Sequence, residues 1–469
     1  MFGLETGLFI LLAFALLAAC FFEFINGFHD TANAVATVIY TNSLKPITAV
    51  ILSGSLNFLG VMIGGIGVGV SIINLLPVEL LIEQNTIQSM IMIFSILISA
   101  IIWNLGTWYY GIPSSSSHTL IGAIIGVGLG YALLPETEMG ISAVNWSKVK
   151  SVFTGLLIAP IIGFGLALIL MWILKKVTSK EVRKQIFDEP NPGEPPPRWI
   201  RGVLISTCGL VSFAHGNNDG QKGIGLVMLI LIAAMPAYFS INEKLDIAEF
   251  HPQIVEAKAL VNKINIEDKS SKNAERLREV QLAVSSLEKT NKLTETNKLE
   301  VRKNIILASR DIKIILSEKP EVLNKTDRER LSSLLTKDEK GIRKLIDYAP
   351  NWIKLMISLS LGFGTMIGWK RIVITVGEKI GKSHLTYAQG ASAELVAAST
   401  VGLASGFGLP VSTTHTLSSG IAGSMVASKG LGNLQVGTIK SILITWVLTL
   451  PATIIFSSLL YFLLHYMLS

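Results

Sequence analysis

Apolar stretches of a length that can cross a lipid bilayer recur along most of this 469-residue chain. A membrane-spanning helix needs about 20 mostly apolar residues. Stretches of this kind lie at 6–25, 46–70, 87–105, 119–134, 152–174, 202–214, 222–240, 352–368, 385–404, 411–428 and 439–466. Several are short or interrupted by Gly, Pro, Ser and Asn, and broken backbone is tolerated at membrane depth only where it lines a cavity or is buried in protein. The sequence therefore predicts an all-α polytopic membrane protein with about ten to twelve membrane segments, some of them re-entrant.

The charged residues are concentrated in one block. Residues 241–350 hold 19 of the 33 acidic and 22 of the 40 basic side chains, and about 9% of the other residues are charged. So apolar a remainder excludes an ordinary soluble enzyme. The block has no metal-ligand spacing or catalytic motif, and it shows a helical 3–4–3 spacing of apolar residues, formed by Leu277, Val280, Val284 and Leu287. Residues 241–348 are therefore predicted to form a soluble, charged helical insert.

Two further features limit the class of protein. Cys20 and Cys208, the only cysteines, lie inside apolar runs, which excludes a secreted disulfide scaffold. A signal peptide has basic residues before its apolar run. None precedes the apolar run Leu8–Phe22, so we predict that this run is retained as the first span. The Pro-rich linker 176–201 is also rich in Lys and Arg, and its basic residues predict that it faces the cytoplasm.

Two motifs occur once in each half of the chain. Gly27-Phe-His-Asp30-Thr-Ala-Asn33-Ala corresponds to Gly216-Asn-Asn-Asp219-Gly-Gln-Lys222-Gly, and Pro113-Ser-Ser-Ser-Ser-His118-Thr corresponds to Pro410-Val-Ser-Thr-Thr-His415-Thr. Asp30 and His118 are 88 residues apart, whereas Asp219 and His415 are 196 apart, a difference of 108. Because block 241–348 is also 108 residues long, its removal brings the halves into register. We predict a first membrane repeat at 1–175, a linker at 176–201, and a second repeat at 202–240 and 349–469.

The hydroxyl-rich motif follows a proline and precedes an uncharged apolar run in both halves. Hydroxyl side chains suit helix N-termini, where unpaired N–H groups and the positive end of the helix dipole attract anions. The two copies therefore predict a neutral cup for an oxyanion such as phosphate, with the histidines shaping it. Its candidate residues are Ser114, Ser115, Ser116, Ser117, His118, Thr119, Ser412, Thr413, Thr414, His415 and Thr416. The alternative is a pair of hairpin turns whose hydroxyls satisfy only their own backbone.

Carboxylates inside membrane segments form a second group of candidates. Such groups are costly and indicate function by default. Asp30 and Asp219 occupy equivalent places beside glycines, where broken backbone and Asn amides could join them around a small cation. The candidates for cation or proton coupling are Glu23, Asn26, Asp30, Asn33, Asn218, Asp219 and Glu394. A polar contact between helices is the alternative for each.

One position breaks the correspondence between the repeats. Asn33 in the first half corresponds to Lys222 in the second. An ammonium group beside Asp219 would fill the place of a metal cation and would also attract an anion, so Lys222 joins the phosphate candidates. The alternative is a lysine that extends to the membrane interface.

On these motifs the chain resembles the Pit family of inorganic phosphate transporters, which is marked by a twice-occurring signature of the type Gly-Ala-Asn-Asp-Val-Ala-Asn-Ala. The resemblance runs from Glu23 to the last span, including Gly-Thr-Met-Ile-Gly-Trp-Lys-Arg at 364–371 and Leu-Pro-Val-Ser-Thr-Thr-His at 409–415, and leaves out the insert. It implies symport of phosphate with a cation, two inverted repeats and a homodimer. Lys222 and Gly223 make the second copy similar to the bacterial low-affinity, proton-coupled branch, which resembles carriers of neutral metal–phosphate complexes. Sodium-coupled members keep the Asn-Ala ending in both copies.

The sequence thus predicts a secondary active transporter that imports inorganic phosphate by proton symport, with alternating access, in a bacterial inner membrane. The expected partners are phosphate, protons, divalent metal ions carried with phosphate, membrane lipid and a second copy of the chain. No cofactor, fixed metal site, enzymatic activity or nucleic-acid partner is predicted. The alternatives are a sodium-coupled phosphate symporter, a sulfate symporter, an anion channel, and a membrane enzyme with Asp30 and Asp219 as a catalytic pair.

Overall fold

The structure is a computed structural model that describes residues 5–76, 86–135, 140, 144, 146–190, 193–268, 270–336 and 341–468. The side chains of residues 30–33, 147 and 148 lie outside this description. Over the described residues the regular secondary structure is helical. The chain forms two compact units, one made of Met1–Ile230 with Pro350–Ser469 and the other of Leu231–Ala349.

The α-helices follow one another with short connections. Before the charged block they are α1 (Thr6–Tyr40), α2 (Pro46–Ile63), α3 (Gly67–Ile73), α4 (Thr86–Tyr109), α5 (Ser116–Ala132), α6 (Trp146–Val177), α7 (Lys180–Phe187), α8 (Arg198–Ala234) and α9 (Pro236–Phe239). The block holds α10 (His251–Asn262), α11 (Lys272–Lys289), α12 (Lys298–Glu318) and α13 (Lys325–Leu335). After it come α14 (Asn351–Ile367), α15 (Lys370–Glu378), α16 (Tyr387–Gly406), α17 (Thr413–Lys429) and α18 (Val436–Leu468).

Several described helices are long and apolar enough to cross a membrane. By length and composition there are five, namely α1, α2, α4, residues 149–177 of α6, and α18. The number rises to six if α14 and α15, which meet at a bend of 63°, form one broken span. This count takes in only long apolar helices among the described residues, whereas the ten to twelve segments expected included short and re-entrant ones. The apolar runs 202–214 and 222–240, however, are not two separate helices. Continuous α8 covers the first of them and most of the second.

The two aspartate motifs do not break their helices, which corrects an expectation from the sequence. Helix α1 is continuous across Gly27 and Asp30, and α8 is continuous across Gly216 and Asp219. The glycines serve close packing instead. Gly27 lies against the backbone of α14 at Thr365, and Gly216 lies against the backbone of α2, so a side chain at either would collide with the neighbouring helix.

These close approaches are reciprocal between the halves of the chain. Gly364 of α14 lies against the Phe24 carbonyl of α1, and Gly60 of α2 lies against the Phe213 carbonyl of α8. The later helices are paired across the halves in the same way, since α5 packs on α18 and α17 packs on α6. Each half therefore builds its core with helices of the other half.

The second unit, Leu231–Ala349, contains its own buried core. Helix α11 buries the apolar positions whose spacing predicted a helix, namely Leu277, Val280, Val284 and Leu287. Helix α11 packs on both α10 and α12. The chain segments at the two ends of this unit are joined by a hydrogen bond from Asn242 N to Leu345 O at 2.8 Å. The buried Arg302 ties them further by donating to Ser240 O at 3.0 Å and Ile346 O at 3.3 Å.

Candidate functional site

The two hydroxyl-rich motifs form matching turns between helices. Gly111 and Gly408 occupy equivalent positions in the turns and have positive φ angles of 66° and 64°, which only glycine adopts without strain. The turns lead into α5 and α17, whose first residues are Ser116 and Thr413. The same local geometry therefore starts both helices.

Several of the predicted cup hydroxyls satisfy their own backbone. The N-cap residues Ser115 and Ser412 accept from the backbone N–H groups of His118 at 3.2 Å and His415 at 3.1 Å. One turn further on, the hydroxyls of the paired threonines donate to the N-cap carbonyls at 3.0 and 2.8 Å; these residues are Thr119 and Thr416. The alternative interpretation, a hairpin turn that caps itself, describes these four hydroxyls.

The beginnings of α5 and α17 meet. The imidazole rings of His118 and His415 lie with their centroids 4.3 Å apart, and the His415 ring also stacks on Trp446 at 4.0 Å. Ser117 Oγ donates to Val411 O at 2.9 Å, which joins the first helix start to the second turn. Two positive helix ends, distant in sequence, thus point into one buried region.

Two hydroxyls at this meeting point have no hydrogen-bond partner among the described residues. They belong to Ser116 and Thr413, which are each 2% exposed and hold equivalent positions in the two motifs. A buried hydroxyl without a partner is costly. Ser114 differs, because its hydroxyl lies 3.3 Å from Thr449 Oγ1, and Thr414 is buried nearby. The unused hydroxyls are therefore the ones that an anion between the helix ends can satisfy.

A buried lysine brings a positive charge to the same place. Lys222 of α8 is 2% exposed, and its Nζ donates to Ser117 Oγ and, at 3.4 Å, to Val411 O. It also donates to Asp219 Oδ1 at 2.6 Å. This is an internal ion pair rather than a lysine that extends to the interface. The ammonium thus lies between the Asp219 carboxylate and the Ser117 hydroxyl.

The remaining acidic candidates fall into two places. Asn26 Nδ2 of α1 lies 3.1 Å from Glu23 Oε2 and 3.4 Å from Asp219 Oδ2, so it faces both carboxylates as a donor. Glu394 of α16 is buried elsewhere and accepts from Thr207 Oγ1 at 2.5 Å.

The structure does not bring all of the acidic-group candidates together. Asn218 does not join Asp219, because its amide donates to Ser405 Oγ at 2.9 Å and Leu409 O at 3.3 Å. The side chains of Asp30 and Asn33 lie outside the described residues. Within the described part of the chain, no group of three or more His, Cys, Asp and Glu side chains is placed to hold a metal ion.

Sequence reasoning missed one member of the site, His215. Its Nε2 lies 3.7 Å from Asp219 Oδ2, and its Nδ1 lies 2.8 Å from Asn57 Oδ1. Asn57 in turn donates to Thr365 Oγ1 at 2.9 Å. The signal was present in the spacing, because residues four apart share one face of a helix. No spacing could place Asn57 of α2 beside it.

Comparisons with known proteins agree on one family. The model of the phosphate transporter family matches residues 26–457. The chain is 42% identical to the low-affinity inorganic phosphate transporter PitA of Escherichia coli strain K12, with 98% of this chain and 97% of that protein aligned. It is 40% identical to PitB of the same strain, with 97% and 96% aligned.

A more distant relative and one solved structure extend the comparison. The chain is 31% identical to a probable low-affinity inorganic phosphate transporter of Bacillus subtilis, and 98% of each chain is aligned. The solved structure of a sodium-dependent phosphate transporter has a similar fold, with a TM-score of 0.56 at 20% identity. That match covers 98% of this chain and 100% of the other.

Proposed function

Since this chain belongs to the phosphate transporter family, we propose that it is a secondary active transporter that imports inorganic phosphate. The observation that carries the proposal is the pair of unpartnered hydroxyls, Ser116 and Thr413, where the starts of α5 and α17 meet. Helix N-termini offer N–H donors and a positive dipole end to a tetrahedral anion. Release remains feasible because Lys222 is already paired with a carboxylate.

Phosphate would be held from three sides. Ser116 and Thr413 each donate one hydroxyl hydrogen bond, and the backbone N–H groups of the two helix starts add further donors. Lys222 reaches the same place through its contact with Ser117 Oγ. Because its charge is balanced by Asp219 at 2.6 Å, Lys222 attracts the anion without trapping it.

We propose proton rather than sodium coupling. Lys222 stands where the first repeat has Asn33, and its ammonium fills the space beside Asp219. A sodium ion there would face a like charge at close range, which disfavours it. A divalent metal would travel with phosphate as a neutral complex, as cargo rather than as a resident cofactor.

The proposed transport cycle is alternating access between two inverted repeats. The reciprocal packing supports this, since α1 uses α14 of the other half as α8 uses α2. Equivalent contacts on both sides of a shared site are what rocking of one repeat against the other requires. The proposal includes a homodimer in a bacterial inner membrane, with residues 241–348 as a soluble accessory insert.

The test is uptake of labelled phosphate in proteoliposomes with pH, sodium and magnesium gradients varied independently. Accumulation against the phosphate gradient, driven by an inward pH gradient and indifferent to sodium at fixed pH, is expected. Downhill flux without accumulation would indicate an anion channel. Preferred sulfate uptake would reassign the substrate, and sodium-driven accumulation would overturn the coupling but leave the phosphate assignment intact.

A further inference from the structure

One buried carboxyl group near the site forms no ion pair within the described part of the chain. Glu23 of α1 is fully buried, and its Oε2 accepts one hydrogen bond, from Asn26 Nδ2 at 3.1 Å. Its Oε1 has no hydrogen-bond partner among the described residues, and none of them forms an ion pair with it. Asp219 contrasts with it, because Lys222 lies 2.6 Å from its Oδ1.

A proton can neutralise Glu23. An ionised carboxylate buried without a cation is expensive, whereas the neutral acid costs much less. The carboxyl group also packs closely on α8, because it occupies the space that a side chain at Gly223 would fill. Glu23 thus sits against the helix that carries Asp219 and Lys222, as a membrane carboxyl that gains or loses charge with its proton.

A short chain of contacts connects this carboxyl to the phosphate cup. Asn26 Nδ2 lies 3.1 Å from Glu23 Oε2 and 3.4 Å from Asp219 Oδ2. Lys222 then joins Asp219 to Ser117 at the start of α5. A change of charge at the cup therefore reaches Glu23 through three side chains, those of Lys222, Asp219 and Asn26.

Resting on the phosphate transport proposed above, we propose that Glu23 is the group that binds the coupled proton. A bound phosphate draws the Lys222 ammonium toward itself, which leaves the Asp219 carboxylate less compensated. The added negative charge then favours the protonated form of Glu23. Because this linkage is reciprocal, a proton on Glu23 also strengthens phosphate binding, so the two are carried together and released together.

Among the side chains that the structure describes, the titratable groups that act on Glu23 are His215, Asp219 and Lys222 of α8 and Cys20 of α1 itself. On the other helices that pack on α1, most described titratable groups have partners of their own. Lys354 donates to Gly64 O, Arg371 donates to Tyr109 O, and Glu378 accepts from Tyr40 at the end of α1. Glu394 accepts from Thr207, His415 stacks on His118 and Lys429 pairs with Glu189. The other titratable residues described on these helices are Tyr109, Lys370 and Tyr387. The coupling therefore depends on the α8 cluster.

The test compares Glu23→Gln with the wild type in proteoliposomes. Two processes are measured, namely phosphate–phosphate exchange without a gradient and accumulation driven by an imposed pH gradient. The variant should keep exchange within about twofold and lose at least about tenfold in accumulation, because reorientation of the loaded carrier no longer requires a proton. Cys20→Ser, one turn away on the same helix, is the control and should keep both. If Glu23→Gln accumulated phosphate at the wild-type level under an imposed pH gradient, the proposal would be overturned.

A second variant tests the proposal even if Glu23→Gln does not insert into the membrane. Glu23→Asp keeps the acid but shortens it by one methylene, which moves it relative to Asn26. The pH of half-maximal phosphate uptake should then shift by at least about half a unit, whereas an unchanged pH profile would overturn the proposal. A wild type that neither exchanges nor accumulates phosphate would instead contradict the proposed function itself.

Discussion

The position of each hydroxyl relative to a helix start decides what it does. At the N-cap, Ser115 and Ser412 are turned back onto the backbone N–H groups of their own helices. One residue later, Ser116 and Thr413 are directed away from those groups and stay unpartnered among the described residues. The sequence identified both motifs. It did not show which of the adjacent hydroxyls caps the helix and which stays available, because that depends on the exact residue at which the helix begins.

The unpartnered hydroxyls give the first prediction. Ser116→Ala and Thr413→Ala each remove one donor to a charged ligand, a hydrogen bond that contributes roughly 1.5–3 kcal/mol. Apparent phosphate affinity should therefore fall by about ten- to a hundred-fold, measured as the KM of uptake in proteoliposomes. Ser95→Ala is the matched control, since that buried serine donates within its own helix to Ile91 O. Unchanged KM in both cup variants would refute the cup.

The asymmetric lysine gives the second prediction. Lys222→Asn introduces the residue that the first half has at the equivalent position 33. It removes an ammonium group that would repel a sodium ion ~4 Å away by about 4 kcal/mol at an effective dielectric near 20. Phosphate binding should weaken, and uptake should gain some dependence on sodium. The measurement is initial uptake rate with and without sodium at fixed pH. Phosphate affinity equal to that of the wild type would show that Lys222 does not contribute to phosphate binding.

At the scale of helices, the turns were predictable and the aspartate motifs were not. Pro113 and Pro410, with a glycine two residues earlier, mark the ends of α4 and α16 in the sequence. Gly27 and Gly216 give the same kind of local signal, yet both helices continue through them. A glycine can either end a helix or lie inside one. Here the close approach of α14 to α1 at Gly27, and of α2 to α8 at Gly216, favours a continuous helix. That approach is a tertiary contact, which local sequence does not encode.

This difference gives the third prediction, made with two glycines of α8. Gly216→Ala places a methyl group against the Asn57 backbone of α2, whereas nothing lies within 4 Å of a Cβ at Gly202. The first change should lower the free energy of unfolding by about 1–3 kcal/mol or more. The second should be neutral or stabilise α8 by up to about 1 kcal/mol. Thermal unfolding in detergent measures both, and equal midpoints would show that α8 and α2 do not touch there.

At the scale of the whole molecule, the spacing of the two motif pairs accounts for the position of the charged block in the sequence. The 108-residue difference in motif spacing equals the length of 241–348, and the contact-defined unit Leu231–Ala349 covers almost the same residues. What the register could not supply is the crossed packing of the halves, α1 with α14 and α5 with α18. Those pairs join residues far apart in sequence, so only tertiary structure reveals them.

The last prediction follows from how the charged block closes on itself. Asn242 N bonds Leu345 O at 2.8 Å, and Arg302 holds the carbonyls of Ser240 and Ile346. The chain ends left by deleting 245–345 are therefore close, and a short Gly/Ser bridge can join them at little cost in loop entropy. The freed carbonyls at 240 and 346 can bond to water. The deleted protein should insert and accumulate labelled phosphate at a measurable rate in proteoliposomes. An inserted, monodisperse deletion variant without uptake would show that the block takes part in transport.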